Sequence, residues 1–383
     1  MIAIFRHPSA RATGLLFGFF GLLFGTWAAL IPHIKQKFGL DEAQLGMLLL
    51  CLPAGVTLMN PFSVTILHKL GAARSAIFFL PLSAALFILP FAMPNVWLTG
   101  ASLFLAGTAF SMINMGVNTC ASQLEQQAGL RIMSTCHGLW STGAMAGSAV
   151  AALATGWGIA PVAYISLVFL VEILAVLLLK NALLGVPDEP HQTTEGVKTP
   201  SGFALPNKVL WVLVAISLCT NLTEGTMADW SAVYLREVVQ TPAAMAGWGF
   251  AAYAFFMAGG RFIGDALIGR FGSKTMLRLG GLVAATGLLV AVFFQNTPTV
   301  LVGFAMVGAG VSLGAPILYA AAAKVPGMAK GAGLATMNTF AMVGFLGGPA
   351  FIGFLAKGFG LPVAFAVVAG AALFWAWRAG KMN

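Results

Sequence analysis

The sequence predicts an all-α membrane protein of twelve transmembrane helices arranged as two pseudo-symmetric six-helix bundles. Three observations carry this reading. Hydrophobic residues make up 59% of the 383 and charged residues only 8%, against about 25% charged in an ordinary soluble domain, so the surface suits lipid. Twelve apolar stretches are long enough to cross a ~30 Å hydrocarbon core, which takes about 20 residues at 1.5 Å each. The two halves of the chain also repeat one another at an offset near 200 residues.

The spans follow in order, separated by short loops of Gly, Pro or charge. The first, 10–34, follows Arg6 and Arg11. It runs on too far for a signal peptide and has no small-residue cleavage site. Lys35, Lys37 and Gly39 separate it from 42–68, and Lys69, Gly71 and Arg74 separate that from 75–93. Pro94 precedes 97–120; Glu125, Gly129 and Arg131 precede 132–156; Gly158 precedes 160–182. After a polar, Pro-rich linker come 208–235 and 243–269, parted by Arg236, Glu237 and Pro242. Arg270, Gly272 and Lys274 lead into 275–294, and Pro298 opens 298–323. Lys324, Pro326 and Gly327 precede 329–354, and Lys357 and Gly358 precede 360–379. In lipid each backbone N–H must be satisfied within its own segment, so these are helices and not strands.

The linker divides the chain into 1–183, 184–206 and 207–383. Gly25-Thr26 aligns with Gly225-Thr226, Lys69-Leu70-Gly71 with Arg270-Phe271-Gly272, and Gly143 and Gly147 with Gly344 and Gly348. Matches in order at nearly one offset indicate parallel repeats. With the N-terminus inside, sixteen of the twenty Lys and Arg residues fall on cytoplasmic ends, Lys198 and Lys330 among them; Lys35, Lys37, Arg236 and Lys357 remain outside. The positive-inside rule therefore places both termini in the cytoplasm, and an inner-membrane location is expected.

The net charge of +9 is spread singly and in pairs, which speaks against nucleic acid as a partner. Cys51, Cys120, Cys136 and Cys219 lie in apolar segments without metal-ligand spacing, so no metal, disulfide framework or other cofactor is expected. There is no Walker-A loop and no H-E-x-x-H, so an enzyme is not expected. The bilayer is the expected partner, with the chain acting as a monomer.

Six plus six helices, a central loop and parallel halves resemble the major facilitator superfamily over essentially the whole chain. Met133-Ser134 with His137-Gly138-Leu139-Trp140-Ser141, and Glu224-Gly225 with Asp229-Trp230-Ser231-Ala232-Val233-Tyr234-Leu235, look like the bacterial YbjJ-like branch, a relative of the fucose permeases. The resemblance implies alternating access around a central cavity lined mainly by the first, fourth, seventh and tenth spans, often with proton coupling, and a sugar or inositol derivative as solute. The chain departs from the pattern in two places. His68-Lys69-Leu70-Gly71 stands where facilitators usually carry an Asp-Arg pair, and Asn114 where related sequences often carry a carboxylate.

Ionisable residues inside a bilayer are expensive, about 2.5–3.5 kcal/mol each at a helix centre, and so mark candidate sites. Ser217, Thr220, Asn221 and Glu224 recur at helical spacing and give the seventh span one polar face. Glu224 is the candidate proton-coupling and substrate-binding carboxylate, with Asp229 and His137 as further proton carriers. Asp229 can pair with Arg236; Glu172 is deep in the sixth span with no assigned role. Ser111, Asn114, Asn118 and Ser122 form a second polar face, whose amides can donate to and accept from a hydroxylated solute. Asn114, Asn118, Asn221, Glu224, Trp27 and Trp140 are the candidate substrate contacts. Arg261 and Asp265, at i and i+4, are expected to pair and to form a cytoplasmic gate with Arg270. Gly21/Gly25, Gly143/Gly147 and Gly344/Gly348 are spaced for close helix contact. A carrier of a small polar solute competes with an efflux pump for amphipathic compounds, which the 30 Phe and 17 Met keep open, and more distantly with a membrane receptor or enzyme.

Overall fold

In the computed structural model, which describes residues 4, 6–186, 207–325 and 332–381, the chain is a bundle of long helices with no strand among those residues. Most of the linker (187–206), the start of the eleventh expected span (329–331), Lys198 and Lys330 lie outside them. The first six passes are α1 (Pro8–Phe38), α2 (Glu42–Leu70), α3 (Ala72–Ala92), α4 (Val96–Ala128), α5 (Met133–Gly156) and α6 (Pro161–Leu183). The second six are α7 (Lys208–Glu237), α8 (Trp248–Phe271), α9 (Ser273–Phe293), α10 (Thr297–Ala322), α11 (Ala332–Phe359) and α12 (Leu361–Gly380). With twelve alternating passes, the start of α1 (Pro8) and the end of α12 (Gly380) lie on one face, here the terminal face; the other is the distal face.

Local chemistry sets these ends. Pro8 opens α1 under a His7 cap, and Gly39 closes it in the left-handed conformation at φ 60°. Asp41 and Gln44 form a reciprocal capping box at the start of α2. Asn95, Asn207 and Asn296 cap α4, α7 and α10, each accepting a backbone N–H from the first turn. Two passes are broken: α2 at Leu50, and α10 around Ser312 and Leu313. Exposed aromatic rings sit near helix ends at the distal face, with Trp97 86%, Trp157 76% and Phe359 70% exposed, as in the aromatic belts of membrane interfaces.

Eleven passes are long and apolar enough to cross a membrane on their own composition; α5 is not among them. The reason is its position. It is rich in Gly, Ser, Thr and Ala, and it packs most extensively against α1 and α8. A helix shielded by protein needs little apolar surface.

The paired glycines make the α1–α5 contact possible. A Cβ on Gly25 would lie 1.9 Å from the Ala144 carbonyl oxygen, and one on Gly143 would lie 1.9 Å from that of Gly18. Gly21 and Gly147 meet backbone oxygens at 2.0 and 2.1 Å in the same way, so the two backbones touch directly. The aligned positions in the second half are looser: Gly344 faces the Leu218 side chain and Gly348 only Leu222, at 3.8 Å. An apolar groove of about 260 Å³ runs there between α7 and α11. Gly71 and Gly272, aligned in the repeat, adopt nearly one conformation, φ 83°, ψ 150° and φ 80°, ψ 151°. Only glycine takes that conformation without strain.

Candidate functional site

The central polar residues collect where α5, α7, α8 and α10 approach. Glu224 is half-buried on the α7 face with Ser217, Thr220 and Asn221. It lies 16 residues past Lys208, about 24 Å along the helix axis, a little past the middle of α7. Asn221 donates to Ser217 Oγ at 3.3 Å, and Thr220 Oγ1 to the Ser217 carbonyl at 2.9 Å. Arg261 of α8 lies within electrostatic reach of Glu224 but makes no ion pair with it. Tyr253 of α8 and Tyr319 of α10 share that field.

Arg261 reaches across the two halves instead of along its own helix. Its Nη1 donates to Ser141 Oγ at 2.8 Å and to the His137 carbonyl at 3.4 Å, both on α5. The expected Arg261–Asp265 pair is absent among the described residues, and Asp265 is exposed. The helical spacing permitted the pair, but a deep guanidinium gains more from buried polar partners than from an exposed carboxylate. Arg270 is exposed too, with its guanidinium over the Phe271 ring.

The other candidates are dispersed. His137 is half-buried with its ring edge-on to Phe17 at 5.3 Å. Asn118 donates to the Asn114 side chain and carbonyl at 3.1 and 2.8 Å, so the α4 amides mainly engage each other. Trp140 joins Phe20, Phe24, Phe110 and Phe250 in an aromatic seam in which Phe24 of α1 meets Phe250 of α8 at 6.0 Å. Trp27 is 2% exposed and packs on Phe87 and Phe91; in this conformation its ring has no free face for a solute. Asp229 is half-buried without an ion pair, because Arg236 donates to the Thr241 carbonyl instead. Glu172 is fully buried, and neither carboxyl oxygen has a hydrogen-bond partner among the described residues.

A second constellation was not visible in the sequence. At the distal face Lys35 Nζ contacts Glu237 at 2.5 and 2.6 Å and Glu42 at 2.9 Å, joining the end of α1 to the end of α7. Lys357 of α11 contacts Asp41 at 2.9 Å. Around them Gly46 abuts Pro349 and Gly353, and Ser148 donates to the Gly247 carbonyl at 2.6 Å. These contacts all cross between halves, except Lys35–Glu42, and together they close the distal face. The Gln44 N–H, and after it Lys357, hold the Asp41 carboxyl below its ordinary 3.8. A lowered acid stabilises the folded form above its ordinary value and loses that contribution only as pH falls through the lowered one. The Asp41 contact is therefore intact throughout the neutral range.

The Major Facilitator Superfamily model matches residues 13–242 and 227–380. The chain belongs to that superfamily. It is 33% identical over 364 residues to an uncharacterised MFS-type transporter of Yersinia pestis, covering 94% of this chain and 91% of that one. Membrane protein MosC of Rhizobium meliloti is 31% identical, covering 94% and 88%. Among solved structures the fold resembles the nucleoside transporter NupG (TM-score 0.76, 14% identity, 97% and 99% covered). It also resembles a D-xylose–proton symporter (0.71, 14%, 97% and 97%) and the E. coli fucose:proton symporter FucP (0.64, 16%, 98% and 99%). The chain is thus a multi-pass membrane transporter of the superfamily whose fold its helices build.

Proposed function

We propose that the chain is a proton-coupled secondary transporter that moves a small polar solute, of the sugar or inositol-derivative kind, across the inner membrane by alternating access. The carrying observation is Glu224: an acid half-buried near the middle of α7 on its polar face, within the field of Arg261. Such a group is costly in a bilayer unless it has work to do there. In this reading Glu224 takes and releases the coupled proton. Asp229 and His137 extend the proton route, and Asn114, Asn118, Asn221 and Trp140 contact the solute. Two of the folds it resembles are sugar–proton symporters, which motivates the choice of solute and coupling.

The two halves, 1–183 and 207–383, rock about this centre, with the 184–206 linker and both termini in the cytoplasm. The distal contacts of Lys35, Glu237, Asp41 and Lys357 then form the outer gate in its closed state. In this reading Asp265 and Arg270, on the terminal side of α8, close the other face. The aromatic seam favours one competing reading, an efflux pump for amphipathic compounds. Reconstituted vesicles with a pH-sensitive dye inside separate the two. A gradient of a polar solute that drives protons in wild type but not in Glu224→Gln supports the proposal; proton movement driven only by lipophilic cations supports efflux.

A further inference from the structure

Arg261 carries three N–H donors that no described residue uses. A guanidinium has five. Nη1 holds both described contacts, to Ser141 Oγ and the His137 carbonyl. The Nε and Nη2 donors have no partner among the described residues. These form the side edge of the guanidinium, the geometry that receives a carboxylate through two parallel hydrogen bonds. The Nη1 contacts fix the plane of the group and leave that edge free. No carboxylate touches the guanidinium, since the described ion pairs involve only Lys35 and Lys357, and Glu224 acts on it only from beyond contact distance. Such a charge at this depth is expensive until an anion neutralises it.

We propose that Arg261 is the subsite for an anionic group on the transported solute, which makes the substrate a hydroxylated carboxylic acid of the sugar-acid type. This rests on the transporter reading above and narrows its solute class. A carboxylate fits better than a phosphate monoester. One guanidinium balances a single negative charge, whereas a dianion calls for further cations, and the lysines of α7 to α10 sit at helix ends (Lys208, Lys274, Lys324). The hydroxyl-rich remainder of the solute meets Tyr319 and the amide of Asn221. Gly260, beside Arg261, lies against Ser312 where α10 breaks; a Cβ there would be 2.2 Å from Ser312 Oγ. Gly260 thereby lets α8 and α10 close tightly behind the guanidinium.

The test is a thermal-unfolding titration of the purified full-length protein, where a ligand that binds the folded state raises the midpoint. The probes are D-glucuronate, D-galacturonate and D-gluconate, with glucose, galactose and myo-inositol as neutral counterparts and glucose 6-phosphate as the phosphate arm. At least one acid is expected to stabilise wild type where its neutral counterpart does not. Arg261→Gln should weaken that acid about 10- to 100-fold, the range for losing charged hydrogen bonds. Arg261→Lys should weaken it nearly as much, because an ammonium lacks the fork. If Arg261→Gln does not fold, the Arg261→Lys titration decides.

Silence from all three acids, undiminished acid binding by the variants, or preference for the phosphate overturns the proposal. Stabilisation by a neutral sugar alone also overturns it. If that neutral sugar drives protons into vesicles, the transporter reading stands while the anion subsite falls.

Discussion

Glu237→Gln tests whether the distal ion pairs hold the closed state. Lys35 touches two carboxylates, but only Glu237 belongs to the other half, so removing its charge weakens the cross-half bond and leaves Lys35 paired with Glu42. The Lys35 side chain is 10% exposed and that of Glu237 is 37% exposed, which places the pair between two limits. Exposed pairs contribute about 0–1 kcal/mol, and breaking a buried pair costs about 3–5 kcal/mol. A value of about 1–2 kcal/mol follows, and at ~1.4 kcal/mol per tenfold it shifts the balance between distal-closed and distal-open states roughly 5- to 30-fold. Ala29→Cys provides the reporter, because Ala29 is 6% exposed and lies against Gly247 of the other half. With the half-buried Cys51 and Cys219 replaced by Ser, labelling of the introduced thiol by a membrane-impermeant maleimide reads distal opening. Glu237→Gln should speed labelling by that factor, and Lys35→Met should speed it at least as much. Equal rates in wild type and Glu237→Gln would refute the lock.

Two further outcomes follow from packing. Gly25→Ala should destabilise by about 1–3 kcal/mol or more, because its Cβ would enter the Ala144 carbonyl. The repeat-related Gly225→Ala, with nothing within 4 Å, should be neutral or stabilise by about 0.5–1 kcal/mol; thermal unfolding of both variants in detergent checks the contrast. Glu172→Met should raise the midpoint, since it removes a buried carboxyl without partners among the described residues, a liability of about 1–3 kcal/mol. Transport should be unchanged, and a folded Glu172→Met without transport would give Glu172 a working role.

The helices were legible because their signal is local. Apolar runs of membrane length, bounded by Gly, Pro and charge, placed the spans, and α5 was found through its boundaries although its own composition is the least apolar. Its partner helices explain that, and partners are not written in a single segment. The glycine spacing likewise announced close contacts, but not that α1–α5 would be tight and α7–α11 gapped. At the site, helical spacing correctly gave α7 one polar face carrying Glu224. The same rule applied to Arg261 and Asp265 gave a pair that does not form, because spacing fixes which residues can meet and not which competing partner is deeper. The Lys35–Glu237 contact spans 202 residues, beyond any periodicity. Its one trace was that the few outward-lying bases, Lys35 and Lys357 among them, share their face with Asp41, Glu42 and Glu237.

Proton flux across the membrane tests the central claim most directly. Wild type and Glu224→Gln are reconstituted side by side, and internal pH is followed as an inward gradient of each candidate solute is imposed. The proposal predicts solute-dependent acidification in wild type and none in Glu224→Gln, which should still bind the solute. Solute-driven proton entry of equal rate in both proteins would remove Glu224 from the coupling step and contradict the account.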